Sequence, residues 1–435
     1  MAPRRDDERR PLLLQHHPGV DHGPQEEAVQ FREDDPGNPR LWPKGWKYAI
    51  VLQIFFLALV CPMASSIFAP AASAIAETFE TSTQIVEIGQ TAFVIMLGLG
   101  PLFLAPMSET FGRRLVFLTN LAVFTALQIP IALALNVATF VVLKTFSGLC
   151  GSVGVANGGG AISDMFETHE RAMVLGFYLV APLLGPSLRP LIGGLISDAL
   201  GWRWIFWVLL MLAAVVTTVC YFFLYDTNAV ILLQQRKTEL EKQNKGKKYT
   251  VDGVPDQPML KRMAKNSTRA LRILTTQPIV LTMSTYQALI FSTMYSLYSE
   301  YATIFSGGSP QQPTLYHFNT TQIGFLYSGP CIGFILTAVI VVLYIDKVYT
   351  YYTEKNDDDG KPEYRLPLAN IGALCLPISL FWFGWSVDQG QPWPVPWAAT
   401  LLFGAAQVSI FNTCQTYYID AFESQPRRLW RPGRA

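Results

Sequence analysis

The sequence predicts an all-α, polytopic bundle of transmembrane helices, and three observations carry that reading. Half of the 435 residues are hydrophobic and only 15% are charged, where a soluble domain carries about a quarter charged residues. The charges crowd into the N-terminal tail, a central stretch and short loops, with long apolar runs between them. About ten of those runs reach the roughly 20 mostly apolar residues that a helix needs to cross the hydrocarbon core.

The N-terminal segment, 1–46, is polar and rich in Pro and mixed charge, and reads as a disordered cytoplasmic tail. It starts without an apolar stretch and is no signal peptide. Six spans follow within 47–225: Lys47–Ala71, Gln84–Pro106, Leu115–Leu135, Ala138–Ala161, Arg171–Ile196 and Trp202–Tyr225. Segment 226–276 reads as a basic cytoplasmic loop, with eleven Lys or Arg against five acids. A second half over 277–422 supplies four more spans: Pro278–Phe305, Thr321–Ile345, Pro367–Val387 and Pro396–Ile419. A short, atypical basic tail, 423–435, closes the chain.

Orientation follows from the basic residues. If the chain alternates, the tail, Arg113–Arg114, the central segment and 346–365 share one side, and they carry most of the Lys and Arg. Loops near Thr81, Asn136, Ser309 and Gln391 are nearly free of them. Both termini are therefore expected in the cytoplasm. Of the sequons Asn266–Thr268 and Asn319–Thr321, only Asn319 falls on the outer side, as the expected glycosylation site.

Several function classes fall away. The net charge of +1 arises from both signs segregated in loops, which is no nucleic-acid footprint. The six cysteines lie in or at the ends of apolar runs, and the five histidines lie outside the apolar cores. Neither pattern is a metal site, and no cofactor is expected. No nucleophile elbow or nucleotide loop supports an enzyme. A receptor would show seven spans without a pseudo-repeat. Six spans, a long basic loop and further spans are the organisation of a secondary transporter made of two related halves.

Three stretches carry chemistry. Between spans 2 and 3 lies "APMSETFGRR", Ala105–Arg114. It resembles the cytoplasmic loop motif G-x-L-a-D-r-x-G-R-r of the major facilitator superfamily. Glu109 stands at the Asp position, and Gly112, Arg113 and Arg114 match. The resemblance implies a charge latch between a helix-end carboxylate and the other half. In span 4, Gly148, Gly151, Gly154 and Gly158–Gly160 recur at helical spacings that let helices approach closely. The family places a basic residue near the start of that span for proton transfer, and here it is Lys144. Asp164 and Arg171 match the acid and base that end this span and open the next.

Span 5 contains "LGPSLRPLIGG", which resembles the G-P-x-x-G-P-x-x-G-G motif of drug:proton antiporters. Gly185, Pro186, Pro190, Gly193 and Gly194 match, whereas Arg189 replaces the middle Gly. A cation there costs about 2.5–3.5 kcal/mol on insertion scales. Either it faces a water-filled cavity or it compromises the seal. Asp35–Trp42, Gly201–Trp204 and Pro362–Pro367 resemble stretches of the fungal twelve-spanner multidrug and polyamine antiporters. The chain is thus identified as a member of that branch, with two spans fewer than the family's twelve. A short form with an incomplete second half is expected to transport poorly.

Polar and aromatic residues at helical spacing mark a candidate cavity. Gln287, Phe291, Tyr295 and Tyr298 share one face of span 7, and Gln407, Phe411 and Gln415 repeat the pattern in span 10. Gln53 and Gln90 add polar points from spans 1 and 2. Such walls suit amphipathic molecules, including organic cations. Glu300, the carboxylate in the apolar stretch of span 7, joins Lys144, Asp164 and Arg171 as a proton-coupling candidate. The expected partners are a small-molecule substrate, protons and the lipid bilayer, with the chain acting as a monomer. Proton-coupled efflux leads; uptake of another solute, or an inactive short relative, is the alternative. The plasma membrane is the expected location, with the vacuolar membrane second.

Overall fold

The computed structural model describes residues 26–31, 35–243, 248–251, 259–305, 316–355 and 362–423. Residues 1–25 of the expected tail and 424–435 of the basic ending lie outside the described residues. In chain order the helices begin with α1 (Lys44–Met63), α2 (Ala72–Thr78), α3 (Thr83–Phe111), α4 (Arg113–Ala132) and α5 (Val137–Gly151). Next come α6 (Val153–Met165), α7 (Thr168–Leu200), α8 (Trp202–Phe223), α9 (Ala229–Gln243) and α10 (Met259–Thr276). The second half supplies α11 (Pro278–Phe305), α12 (Thr320–Leu326), α13 (Ser328–Lys355), α14 (Pro367–Asp388) and α15 (Pro394–Glu423).

Every expected span is a helix or a helix pair. Span 4 is α5 with α6, turning at Ser152, and span 8 is α12 with α13, turning at Tyr327. Among the described residues, eight spans are long and apolar enough to cross a membrane by length and composition. The other two, spans 5 and 7, are α7 and α11, of 33 and 28 residues. The described part of α7 holds the apolar run Met173–Pro182, and a run of Ser, Thr and Tyr lowers the apolarity of α11. Large apolar side chains such as Phe103, Phe146, Phe222, Leu374 and Phe381 stand exposed on the outside, as lipid-facing helices require.

Side-chain contacts sort the loops onto two ends of the bundle. One end gathers the tail, the α3–α4 turn, the α6–α7 turn and the segment after α8. There Lys44 pairs with Glu170 at 3.1 Å, Arg113 pairs with Asp164, and Asp35 pairs with Arg236. The opposite end joins Thr78 to Trp202, Arg203 to the Ala134 carbonyl, and Asp198 to Thr321. This is the alternation expected from the basic residues, which gather at the first end.

Two expectations need correction. Part of the tail read as disordered is ordered: β1 (Glu26–Ala28) pairs in parallel with β2 (Lys248–Thr250) of the central segment. Val29, Leu233 and Tyr249 form a small apolar cluster beside that pair. Asn38 caps a short turn, and the Trp42 indole donates to the Pro36 carbonyl at 3.1 Å. A few apolar contacts and one ion pair suffice to order a polar stretch once a partner segment is fixed. The central segment is likewise more than a loop, since it folds into α9 and α10.

The topology is checked by labelling single cysteines at Lys237 and Gln391 in whole cells. A membrane-impermeant reagent should modify only the Gln391→Cys protein before permeabilisation, and both proteins after it.

Candidate functional site

At the end that gathers the basic residues, α3 stops at Phe111 and α4 starts at Arg113 through Gly112, whose φ is +95°. That conformation favours glycine. Space demands it too, because a Cβ there would lie 2.2 Å from an Asp226 carboxylate oxygen. Asp226 accepts from the backbone N–H of Arg113 at 3.3 Å and of Asn228 at 3.0 Å. It places a negative charge on the N-terminus of α4, where the helix dipole favours one. Burial pushes its carboxyl above the ordinary range, while those amide hydrogen bonds and the Arg113 charge pull it back.

The Arg113 side chain turns inward. Its Nε donates to Asp164 at 2.5 Å and its Nη1 to Ser108 at 3.3 Å. Ser108 in turn donates to Asn157 at 2.9 Å, and Thr227 donates to Asp164 at 3.3 Å. Spans 2, 3 and 4 and the start of the central segment are braced by one guanidinium, all within the first half. Glu109 is exposed on the last turn of α3, Arg114 donates to the Tyr221 carbonyl at 3.0 Å, and Arg171 is half-buried near the start of α7.

The centre is organised by a break in span 1. Pro62 lies in the last turn of α1, and the chain leaves the helix at Ala64 and turns through Ala64–Phe68 before continuing in α2. A broken helix frees carbonyls that lipid cannot satisfy. Two fully buried cations donate to carbonyls at the break, of which that of Pro62 also accepts the Ser65 N–H at 3.0 Å. Arg189 Nη1 donates to the Pro62 carbonyl at 3.1 Å, and Lys144 donates to the Ala64 carbonyl. The Lys144 ammonium also sits over the rings of Phe68 and Phe93 at 4.8 Å each and of Phe206 at 5.5 Å.

Arg189 is held on three sides. Its Nε returns to the Gly185 carbonyl at 3.0 Å, and its Nη2 reaches Tyr295 of α11 at 3.5 Å, with the guanidinium 5.6 Å from that ring. Tyr295 also lies 3.4 Å from the Ser65 hydroxyl. The span 5 motif packs on both neighbours of this centre. A Cβ on Gly193 would lie 1.8 Å from the Ile67 carbonyl oxygen, so no other residue lets α7 approach the span 1 break this closely. Gly185 faces the Leu59 carbonyl, and on the other flank Gly324 sits against the Pro190 carbonyl. Gly194 is buried, and Pro186 lies in the same helix. At the outer end Asp198 accepts from the N–H of Thr321 at 2.8 Å.

The remaining cavity candidates divide. Phe291 packs edge-on against Phe411 at 5.4 Å, and Gln407 donates to the Ile290 carbonyl at 3.4 Å, so spans 7 and 10 meet there. Gln53 is buried, and among the described residues neither its carbonyl oxygen nor the Gln287 amide nitrogen has a protein partner. Gln90 and Gln415 are half-buried. Tyr298 belongs instead to the second-half core, where its carbonyl accepts from Tyr327 at 2.5 Å. Glu300 is exposed on α11. Asn319 is exposed and caps α12 by accepting from Gln322 N–H, in a reciprocal capping box.

Sequence reasoning missed Asp226, Ser65 and the three-ring box around Lys144. Only Phe206 carried a signal, since it lies in the Trp-rich stretch that opens span 6.

Paired helical halves, an outer contact surface made by spans 1, 5, 7 and 8, and ionisable side chains enclosed among them define a multi-pass membrane transporter. The sequence profile of the Major Facilitator Superfamily matches residues 54–428. The chain belongs to that superfamily, in the company of fungal drug-type transporters. It is 32% identical to the cycloheximide resistance protein of Candida maltosa, over 90% of this chain and 71% of that one. It is 33% identical to the MFS-type efflux pump MFS2 of Trichophyton rubrum, over 91% of this chain and 65% of that one. Among solved structures, the partially occluded inward open xylose transporter XylE of E. coli superposes with a TM-score of 0.61 at 15% identity. That match covers 86% of this chain and 87% of XylE.

Two outcomes check the site. Gly193→Ala should destabilise the detergent-solubilised protein by about 1–3 kcal/mol through overpacking, whereas Gly384→Ala, with open space around it, should not. For Asp226, a folded pKa above the unfolded value means that the native state binds more protons in between, so stability falls as pH rises through that window. The stability of wild type minus that of Asp226→Asn should therefore decrease from the ordinary carboxylate pKa upward, as read by thermal unfolding at stepped pH.

Proposed function

We propose that this transporter exports small amphipathic organic compounds across the plasma membrane, as a monomer, in exchange for protons. The observation that carries the reading is the packing of Gly185–Gly194 against the span 1 break on one side and span 8 on the other. A close seal on the outer side limits leak while the cytoplasmic side admits substrate. The names of the relatives, a cycloheximide resistance protein and an efflux pump, support the same direction. The half-buried Phe291, Tyr295 and Gln415, with buried Gln53, Gln407 and Phe411, suit an amphipathic ligand.

Proton exchange is assigned to Lys144, an ionisable group wholly enclosed in the bundle at the span 1 break. Asp164 is committed to Arg113, and Glu300 is exposed, so both are weaker candidates. Arg113, Asp164 and Asp226 brace the cytoplasmic end through which the first half must rock.

Expression in a pump-deficient yeast host tests the proposal. The protein should raise tolerance to at least one amphipathic toxin and lower its cellular accumulation. A protonophore, Lys144→Met or Arg113→Ala should each abolish both effects. Correctly located protein that changes neither quantity contradicts the reading.

A further inference from the structure

We infer that Arg189 makes the central site selective for substrates that carry a negative charge, carboxylates above all; this rests on the export reading and names its substrate class. Two fully buried cations stand on carbonyls only two residues apart in span 1. Among the described residues neither has an acidic partner. The ion pairs are Lys44–Glu170, Arg113–Asp164, Arg236–Asp35 and Lys237–Glu241, and all of them involve the cytoplasmic end or its helices. The carbonyls of Pro62 and Ala64 solvate the two charges without neutralising them. Arg stays charged at every accessible pH, so the excess of positive charge at this point is permanent.

The geometry also says when that charge is offered. Nε and Nη1 of Arg189 are spent within the first half, on Gly185 and Pro62. Nη2 crosses to the second half, where it meets Tyr295 at 3.5 Å, beyond an ordinary hydrogen bond. Ser65 reaches the same hydroxyl across the same boundary at 3.4 Å. When the halves rock apart at this level, Tyr295 leaves with α11 and the outer edge of the guanidinium faces the opened space. A carboxylate replaces the phenol there with a charge-assisted hydrogen bond, in a low-dielectric site where that exchange is most favourable. An amine meets two like charges instead. Phe291 and Phe411, on the same pair of spans as Tyr295 and Gln407, supply apolar surface for the rest of such a molecule.

The test compares three probes of one shape on the purified full-length chain in nanodiscs: 4-butylbenzoate, 4-butylbenzamide and 4-butylbenzylamine, at a pH where the acid and the amine are ionised. The carboxylate should bind about tenfold tighter than the amide, the amount that one charge-assisted hydrogen bond supplies, and the amine weakest. Arg189→Gln should bring the carboxylate down to the affinity of the amide, and Arg189→Lys should retain a preference for it. No binding of the carboxylate, equal binding of carboxylate and amide, or tighter binding of the amine overturns the inference. So does an Arg189→Gln protein of unchanged melting temperature that keeps the carboxylate affinity. Where that variant fails to fold, the ranking of the probes on wild type decides alone. Carboxylate selectivity in a protein that confers no resistance would sink export and leave the anion site standing. Resistance to amines that survives Arg189→Gln would do the reverse.

Discussion

A helix that breaks inside a membrane must find donors for the carbonyls it frees, because lipid offers none. In this transporter the break in span 1 after Pro62 meets that demand partly within its own turn, where the Ser65 N–H donates to the Pro62 carbonyl, and partly with two charged side chains from other helices, Arg189 from span 5 and Lys144 from span 4. Each cation in turn needs the carbonyls, since an Arg or Lys at bilayer depth costs about 2.5–3.5 kcal/mol on insertion scales. Hydrogen bonds to charged groups contribute about 1.5–3 kcal/mol apiece, and rings over a desolvated cation about 2 kcal/mol more. The break and the cations therefore stabilise one another.

The helix packing follows from this centre. Span 5 must lie against the broken segment to deliver Arg189, and Gly193 removes the side chain that the Ile67 carbonyl would strike. Span 4 must present Lys144 at the same level, among rings from span 2, span 6 and the broken segment itself. The second half touches the centre through Tyr295 and, one flank away, through Gly324 on the Pro190 carbonyl. The brace of Arg113, Asp164 and Asp226 is the cytoplasmic counterpart. It ties three spans and the central segment together.

The helices were legible because apolar runs of spanning length are the strongest signal that a sequence carries. The motifs also singled out Gly112, Arg113, Lys144, Gly193 and the odd Arg189. What Arg189 does was not legible, because its long-range partner is the backbone carbonyl of Pro62, 127 positions away at a break whose local sign is that proline. Asp226 was overlooked for a similar reason: a helix cap contributed from a distant loop leaves no local pattern. The latch expected to reach the other half proved, for Arg113, to be a brace inside the first. Glu300 looked membrane-embedded because its surroundings are apolar. Yet its side chain is exposed on α11, a fact of packing that the sequence around it does not show.

The central claim is that two cations hold the span 1 break. Hydrogen exchange of the backbone in nanodiscs reads it directly, by comparing wild type with Lys144→Met. The account predicts faster exchange confined to residues 62–71 and the facing turns of span 5, with the cytoplasmic brace around Arg113 unchanged. Identical protection of 62–71 in the two proteins would contradict it.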